Sequence, residues 1–241
     1  SLGMGKGYVP CYFKNTRPFG VISKQYKFVF IHIPKCAGTS IETAITSYCD
    51  KGGFGYNKQI SGHIQHANCQ ELCDLNMLSE IQCNEYFKFA FVRNPWDRCV
   101  SEYVWRIKQF GNFINGPVNV NNGVSHPNYT KDWIRQNVTF KDFVKQNFPY
   151  QELSYHQHMK PQSDYIYDSN GAEVDFIGRF ENLEKDFSFV CKKIFNKEIL
   201  LPHKFKTNRT VYTEYYDDET KSIVAEKYAE DIEYFNYEFG K

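Results

Sequence analysis

The sequence predicts an α/β fold in which a central parallel sheet is flanked by helices. Two strand–turn–helix units and the length of the chain point there. Phe28 to Ile33 is an apolar, β-prone run that stops at Pro34, and Ile41-Glu42-Thr43-Ala44-Ile45 opens a helix shortly after it. Tyr86-Phe87-Lys88-Phe89-Ala90-Phe91-Val92 alternates as a second strand, and Trp96, Val100, Tyr103, Val104 and Ile107 then recur at helical spacing. Strands that alternate with helices build parallel sheets. The 241 residues suffice for one such domain with a substantial core.

The first turn, Pro34-Lys35-Cys36-Ala37-Gly38-Thr39-Ser40, is suited to an anion. A strand running through a tight turn into a helix N-terminus exposes backbone N–H groups at the positive end of the helix dipole. Lys35 and the Thr39 and Ser40 hydroxyls add donors. The expected ligand is a phosphate, and the chain is expected to use a nucleotide. The segment is not a Walker A loop, because that motif puts its lysine directly after the second glycine. Lys35 lies three residues before Gly38, on the strand side of the turn. There it can sit over the bridging oxygen of a 5′-linked group.

The second unit adds a cationic partner. Asn94 reads as an N-cap and Pro95 as the first helical residue. Arg93 then stands at the carboxyl end of a strand, where ligands of open α/β sheets bind. Ser101 is two turns into the following helix. An arginine fork with a hydroxyl is a good receptor for a terminal phosphate. The alternatives are an ion pair capping the helix for Arg93 and a neutral exposed position for Ser101.

Together these segments resemble the sulfotransferase family, in its carbohydrate branch that includes heparan sulfate 2-O-sulfotransferase and the chondroitin enzymes. Pro34 to Ser40 looks like the family's 5′-phosphosulfate loop, and Arg93 with Ser101 like its 3′-phosphate site. Further landmarks are Ser61-Gly62-His63, Lys160 to Tyr165, Val174 to Leu183 and Tyr234 to Tyr237. The resemblance implies a P-loop-like fold akin to the nucleotide kinases. It also implies transfer of a sulfuryl group from 3′-phosphoadenylyl sulfate (PAPS) to an acceptor hydroxyl, leaving 3′-phosphoadenosine 5′-phosphate. Lys35 would neutralise charge on the leaving oxygen. Backbone N–H groups from Cys36, Ala37, Gly38, Thr39 and Ser40 would cradle the 5′-phosphate, and Arg93 with Ser101 would fix the 3′-phosphate. No metal is called for, since cationic side chains and backbone dipoles take the part of magnesium.

The acceptor hydroxyl must lose a proton, and imidazole titrates near neutral pH. In the resembling branch a histidine after glycine at this point is the base, which His63 matches. His66, one helical turn on, is the second candidate base; otherwise it would orient His63 or contact substrate. Glu42 is an alternative base. His63, His66, Cys69 and Cys73 also form an H-x2-H-x2-C-x3-C pattern that suits zinc, although Cys69, Leu72 and Cys73 share a face of an expected helix from Asn68 to Ser79. Other readings of the chain are a P-loop-like nucleotide kinase and a non-catalytic nucleotide- or zinc-binding module. Arg179, at another strand end, is placed either to touch the cofactor or an anionic acceptor or to form a salt bridge with Glu181 or Asp175, the latter being the expectation. Lys204, Lys206 and Asn208 would belong to a lid over the nucleotide.

Composition sets looser bounds. Formal charge is +1, which favours a neutral or small acceptor, such as a simple glycan or metabolite, over a polyanion. Aromatics make up 17% of residues, and Trp105, Trp133, Tyr155 or Tyr165 are candidates to line an acceptor cleft. Eight cysteines lack a repeated spacing, so reduced thiols are expected. Asn128, Asn137 and Asn208 open glycosylation sequons. No run of about 18 apolar residues occurs, and nucleic acid is not an expected partner. Ser1-Leu2-Gly3-Met4 reads as a tag remnant; the cytoplasm is the expected compartment, with the Golgi lumen the alternative if an N-terminal anchor is missing. Residues 1–25 are expected to form an arm and 26–241 a single domain. Gly111 to Thr130 reads as a long loop bordering the acceptor site, and helices are expected near 139–148, 182–195 and 217–235.

Overall fold

Four strands form the main sheet of the computed structural model, which describes residues 21–50, 55–110, 139–147, 156–167, 171, 174–202 and 210–241. The order along the sheet is β1 (Ile22–Ser23), β2 (Phe28–Ile31), β5 (Phe87–Val92) and β6 (Phe176–Arg179). β1 runs antiparallel to β2 at one edge, whereas β2, β5 and β6 are parallel. A small antiparallel pair, β3 (Tyr56–Asn57) and β4 (Gly62–His63), lies between β2 and β5 in sequence.

Every residue of β2 is buried, as are Phe89 to Val92 of β5, so the inner strands read as continuous apolar runs. Ile31 is paired with Ala90, and Val92 with Arg179. The three parallel strands therefore end side by side, and the turns that follow β2 and β5 are neighbours.

The helices are α1 (Gly38–Ile45), α2 (Cys69–Asp74), α3 (Glu80–Glu85), α4 (Pro95–Phe110), α5 (Phe140–Asn147), α6 (His156–Met159), α7 (Ser163–Ile166), α8 (Leu183–Phe195), α9 (Asp218–Lys227) and α10 (Ala229–Phe235). A first core lies about the sheet and includes Phe28, Phe30, Phe89, Phe91, Ile41 and Phe187. In a second, Trp96, Cys99 and Val100 of α4 pack with Phe143 of α5 and Val224 of α9.

Two expected helices are broken. The stretch from Asn68 to Ser79 divides into α2 and the approach to α3, with Asn76 in the left-handed region and Ser79 capping α3 through a reciprocal bond with Gln82. The stretch 217–235 divides at Tyr228, which leaves helical geometry at φ −114° and ψ 30°. Residues 1–20, the loop from Gly111 to Thr130, Trp133, Tyr155, the segment with Lys204, Lys206 and Asn208, and the asparagines of all three sequons lie outside the described residues. Among the described residues no helix is long and apolar enough to cross a membrane, and the seven described cysteines are free thiols.

Candidate active site

The turn after β2 holds two residues with left-handed backbone, Lys35 at φ 69° and Ala37 at φ 66°. Side chains at such angles cost about 1–2 kcal/mol each and persist where the surroundings hold them. Ala37 is the N-cap of α1, and its methyl side chain makes no capping bond. Its carbonyl accepts from Ser40 and Ile41 N–H, at 3.0 and 3.2 Å. The preceding N–H groups begin the helix and have no place in its own ladder. A side chain at Gly38 would start 1.9 Å from the His32 ring, so only glycine lets the turn lie this close to β2.

Beneath the turn, His32 Nδ1 donates to Glu42 Oε1 at 2.6 Å. Glu42 is buried, and its other oxygen has no hydrogen-bond partner. The Cys36 thiol donates to Gln162 Oε1 at 3.2 Å. Burial pushes this thiol up to about 12, so it stays protonated.

The turn after β5 is held on every side. Gln162 Oε1 accepts from Arg93 N–H at 2.8 Å, and Gln162 Nε2 donates to Arg93 O at 2.9 Å. Asn94 N–H donates to Glu181 Oε1, whose other oxygen accepts from Tyr237 OH. Asn94 Oδ1 accepts from Trp96 N–H, while Asn94 Nδ2 donates to the carbonyls of Glu238 and Lys241. Gln162, Glu181 and Tyr237 come from three of the landmark segments.

The Arg93 side chain joins the two turns. Its Nε donates to Asp97 at 2.7 Å, its Nη1 donates to Lys35 O at 3.0 Å, and its guanidinium lies 3.8 Å from the Phe180 ring centre. These two bonds use two of the five guanidinium donors. The ion pair with Asp97 is thus present, and it orients a fork whose remaining donors can serve an anion. Ser101 is half-buried, further along the same helix.

Arg98, to which the sequence reading gave no role, sits at the centre. It is 2% exposed. Its Nε donates to Pro34 O, Nη1 to Lys160 O and Nη2 to His158 O, all within 3.0 Å. Arg98, Glu102 and Trp105 occupy i, i+4 and i+7 of α4 and so share a face. That spacing was the available signal.

His63 is half-buried, and its backbone is clamped by Gln157, which accepts from His63 N–H at 2.8 Å and donates to His63 O at 3.2 Å. His66 is 4% exposed. Its Nδ1 donates to His32 O at 3.0 Å, and Nε2 accepts from Gln65 at 3.1 Å. Both contacts specify neutral imidazole. Burial, then the neighbouring His32 and His158, hold its pKa well below the ordinary value.

The zinc pattern is not assembled: among the described residues no group of three or more His, Cys, Asp or Glu side chains is placed to hold a metal. Arg179 also departs from expectation. It donates to Phe235 O and stacks 4.8 Å from Tyr237. Glu181 is taken by Asn94 and Tyr237, and Asp175 by Lys88.

Comparison with known proteins identifies the family. A profile described as the sulfotransferase family matches residues 20–238. The chain belongs to the sulfotransferase family. It is 24% identical over 238 residues to carbohydrate sulfotransferase 11 of Rattus norvegicus, covering 90% of this chain and 66% of that protein. It is 24% identical over 187 residues to carbohydrate sulfotransferase 14 of Danio rerio, covering 72% of this chain and 47% of that protein. The chain thus spans somewhat less than two thirds of the first relative and about half of the second. An uncharacterized protein of Archaeoglobus fulgidus is 34% identical over 109 residues, which is 45% of this chain and 68% of that protein. No solved structure matches. Membership in this family supports sulfuryl transfer, and the similarity to sulfotransferases 11 and 14 supports the carbohydrate branch.

Proposed function

We propose that the protein is a PAPS-dependent O-sulfotransferase of P-loop-like architecture, acting on a hydroxyl of a carbohydrate or small metabolite. The observation that carries this reading is the uncapped, left-handed turn from Pro34 to Ser40, tied by Arg93 to the neighbouring strand end. The residues fit the donor's two phosphate groups: one uncapped helix N-terminus with hydroxyls, and one partly committed guanidinium on the adjoining strand. PAPS, when bound, supplies an activated sulfuryl group.

The chain's own residues have distinct tasks in this reading. The N–H groups of the first turn of α1, with Thr39 and Ser40, hold the 5′-phosphate. Arg93 and Ser101 hold the 3′-phosphate and so set the register. Lys35 neutralises negative charge at the leaving oxygen, an interaction strongest at the transition state. His63 accepts the proton of the acceptor hydroxyl. His66, neutral and bonded through both nitrogens, supports the wall behind it.

Isothermal titration with 3′-phosphoadenosine 5′-phosphate and with ATP, without divalent metal, tests the reading on wild type and Arg93→Ala. Binding of the bisphosphate to wild type, lost in the variant and absent for ATP, is expected. Failure to bind the bisphosphate, or magnesium-dependent preference for ATP, would overturn it in favour of a kinase.

A further inference from the structure

We propose that Glu102, His158 and Trp105 form a brace that aims the Lys35 ammonium. This rests on the reading of Lys35 as the residue that neutralises the leaving oxygen. A long, flexible lysine needs help to stay at one point, because its side chain carries many rotamers and its charge is a compact point.

Each link of the brace is a contact in the structure. The Lys35 Nζ lies 5.1 Å from the centre of the Trp105 ring, within range of a cation–π attraction. The Trp105 ring packs against the His158 ring at 5.3 Å between centres, tilted by 32°. His158 Nδ1 donates to Glu102 Oε2 at 2.9 Å, and the Glu102 side chain is 1% exposed. His66 meets the His158 ring edge-on at 5.3 Å, and Arg98 bonds the His158 carbonyl. A buried carboxylate therefore fixes an imidazole, the imidazole fixes an indole, and the indole offers its face to the ammonium. At the other end, the Lys35 backbone is pinned through its carbonyl by Arg93. Both ends of the lysine are thus held, while the stem between them spans the turn.

Glu102 and Trp105 reach this task because they are three residues apart on α4, on the face that carries Arg98. The arrangement assigns His158 and Glu102 a positioning role that acts through Trp105.

Competitive acylation of the full chain with acetic anhydride, read by peptide mass, tests this without an acceptor. Only the neutral amine reacts, and an ammonium held over an indole face is biased towards its charged form. In Trp105→Leu, acylation of Lys35 should accelerate about two- to fivefold relative to wild type. Lys88 and Lys160 serve as internal references and should keep their rates, which separates the effect from general unfolding. Trp105→Phe keeps an aromatic face and should restore most of the slow rate. His158→Gln should speed Lys35 acylation by a smaller factor. An unchanged or slower Lys35 rate in Trp105→Leu would overturn the brace, as would acceleration of all three lysines together. Protection of Lys35 by 3′-phosphoadenosine 5′-phosphate is read in the same assay; its absence in wild type would count against the donor reading while leaving the brace result standing.

Discussion

The two strand-end turns of this protein start from the same plan and are stabilised in opposite ways. The turn after β2 is strained, with left-handed Lys35 and Ala37, and the N-cap residue of the helix it opens makes no side-chain capping bond. The turn after β5 is saturated: Gln162 grips the Arg93 backbone, Glu181 grips Asn94, and Asn94 grips two carbonyls near residue 240. A site for an anion needs donors that are not already satisfied. It also needs a frame that does not shift when the anion arrives. In the proposed reading the first turn supplies the donors and the second the frame, and Arg93 and Arg98 bond across from the second to the first.

The sharpest way to break that division is to cut the coupling. Arg98→Met leaves the carbonyls of Pro34, Lys160 and His158 without their donor in a buried setting. It should cost about 3–5 kcal/mol in urea unfolding, because each orphaned acceptor is expensive. Arg98→Lys should recover only part of this, since one ammonium cannot span three carbonyls set by a planar fork.

A second test loads the strained turn alone. Gly38→Ala drives a Cβ to 1.9 Å from His32, which must move together with its bond to Glu42. Overpacking of this kind costs about 1–3 kcal/mol. Affinity for 3′-phosphoadenosine 5′-phosphate should fall by more than stability alone accounts for, because the N–H groups of the turn shift. An unchanged affinity in titration would show that the first turn is less dependent on this close approach than the geometry implies.

The third effect is graded with pH. His66 is held neutral in the fold, with its pKa lowered chiefly by burial. The unfolded chain therefore binds the extra proton first. The stability contributed by neutral His66 is fully present above about pH 6.5 and is lost as pH falls towards the lowered folded value, by up to about 1.4 kcal/mol per pH unit. Wild type should lose stability on acidification, and His66→Gln should flatten that dependence in denaturation curves between pH 7 and 5.

Much of this contrast was legible in the sequence, because it depends on local rules. The Pro34 stop, the Asn94 and Pro95 start signals and the apolar runs of β2 and β5 fix the strand–turn–helix units within a few residues of each other. What could not be read was the long-range wiring. Arg98 looked like an ordinary polar residue of an amphipathic helix, since nothing in its neighbours announces that three carbonyls from two other segments converge on it. Gln162 stood inside a landmark segment without a role, and Glu181 only as a partner for Arg179, because Arg93 and Asn94 are 69 and 87 residues away from them. The expected helix from Asn68 to Ser79 failed for the converse reason. Its apolar spacing was helical, but Asn76 and the Ser79–Gln82 capping box break the run locally. Arg179 departs from expectation because Glu181 is engaged by Asn94 and Tyr237, and Asp175 by Lys88.

The bonds from Asn94 to Glu238 and Lys241 carry a consequence for biosynthesis. They join positions 144 and 147 residues apart. At ribosomal rates of about 5–20 residues per second, roughly 7–30 s pass between emergence of the first partner and the last. Throughout that interval the nascent chain possesses both strands and both turns, yet not the clasp that steadies the second of them. The frame of the second turn is therefore a late acquisition of the growing polypeptide, and a chaperone that shelters the sheet during that window would be protecting an open, apolar edge.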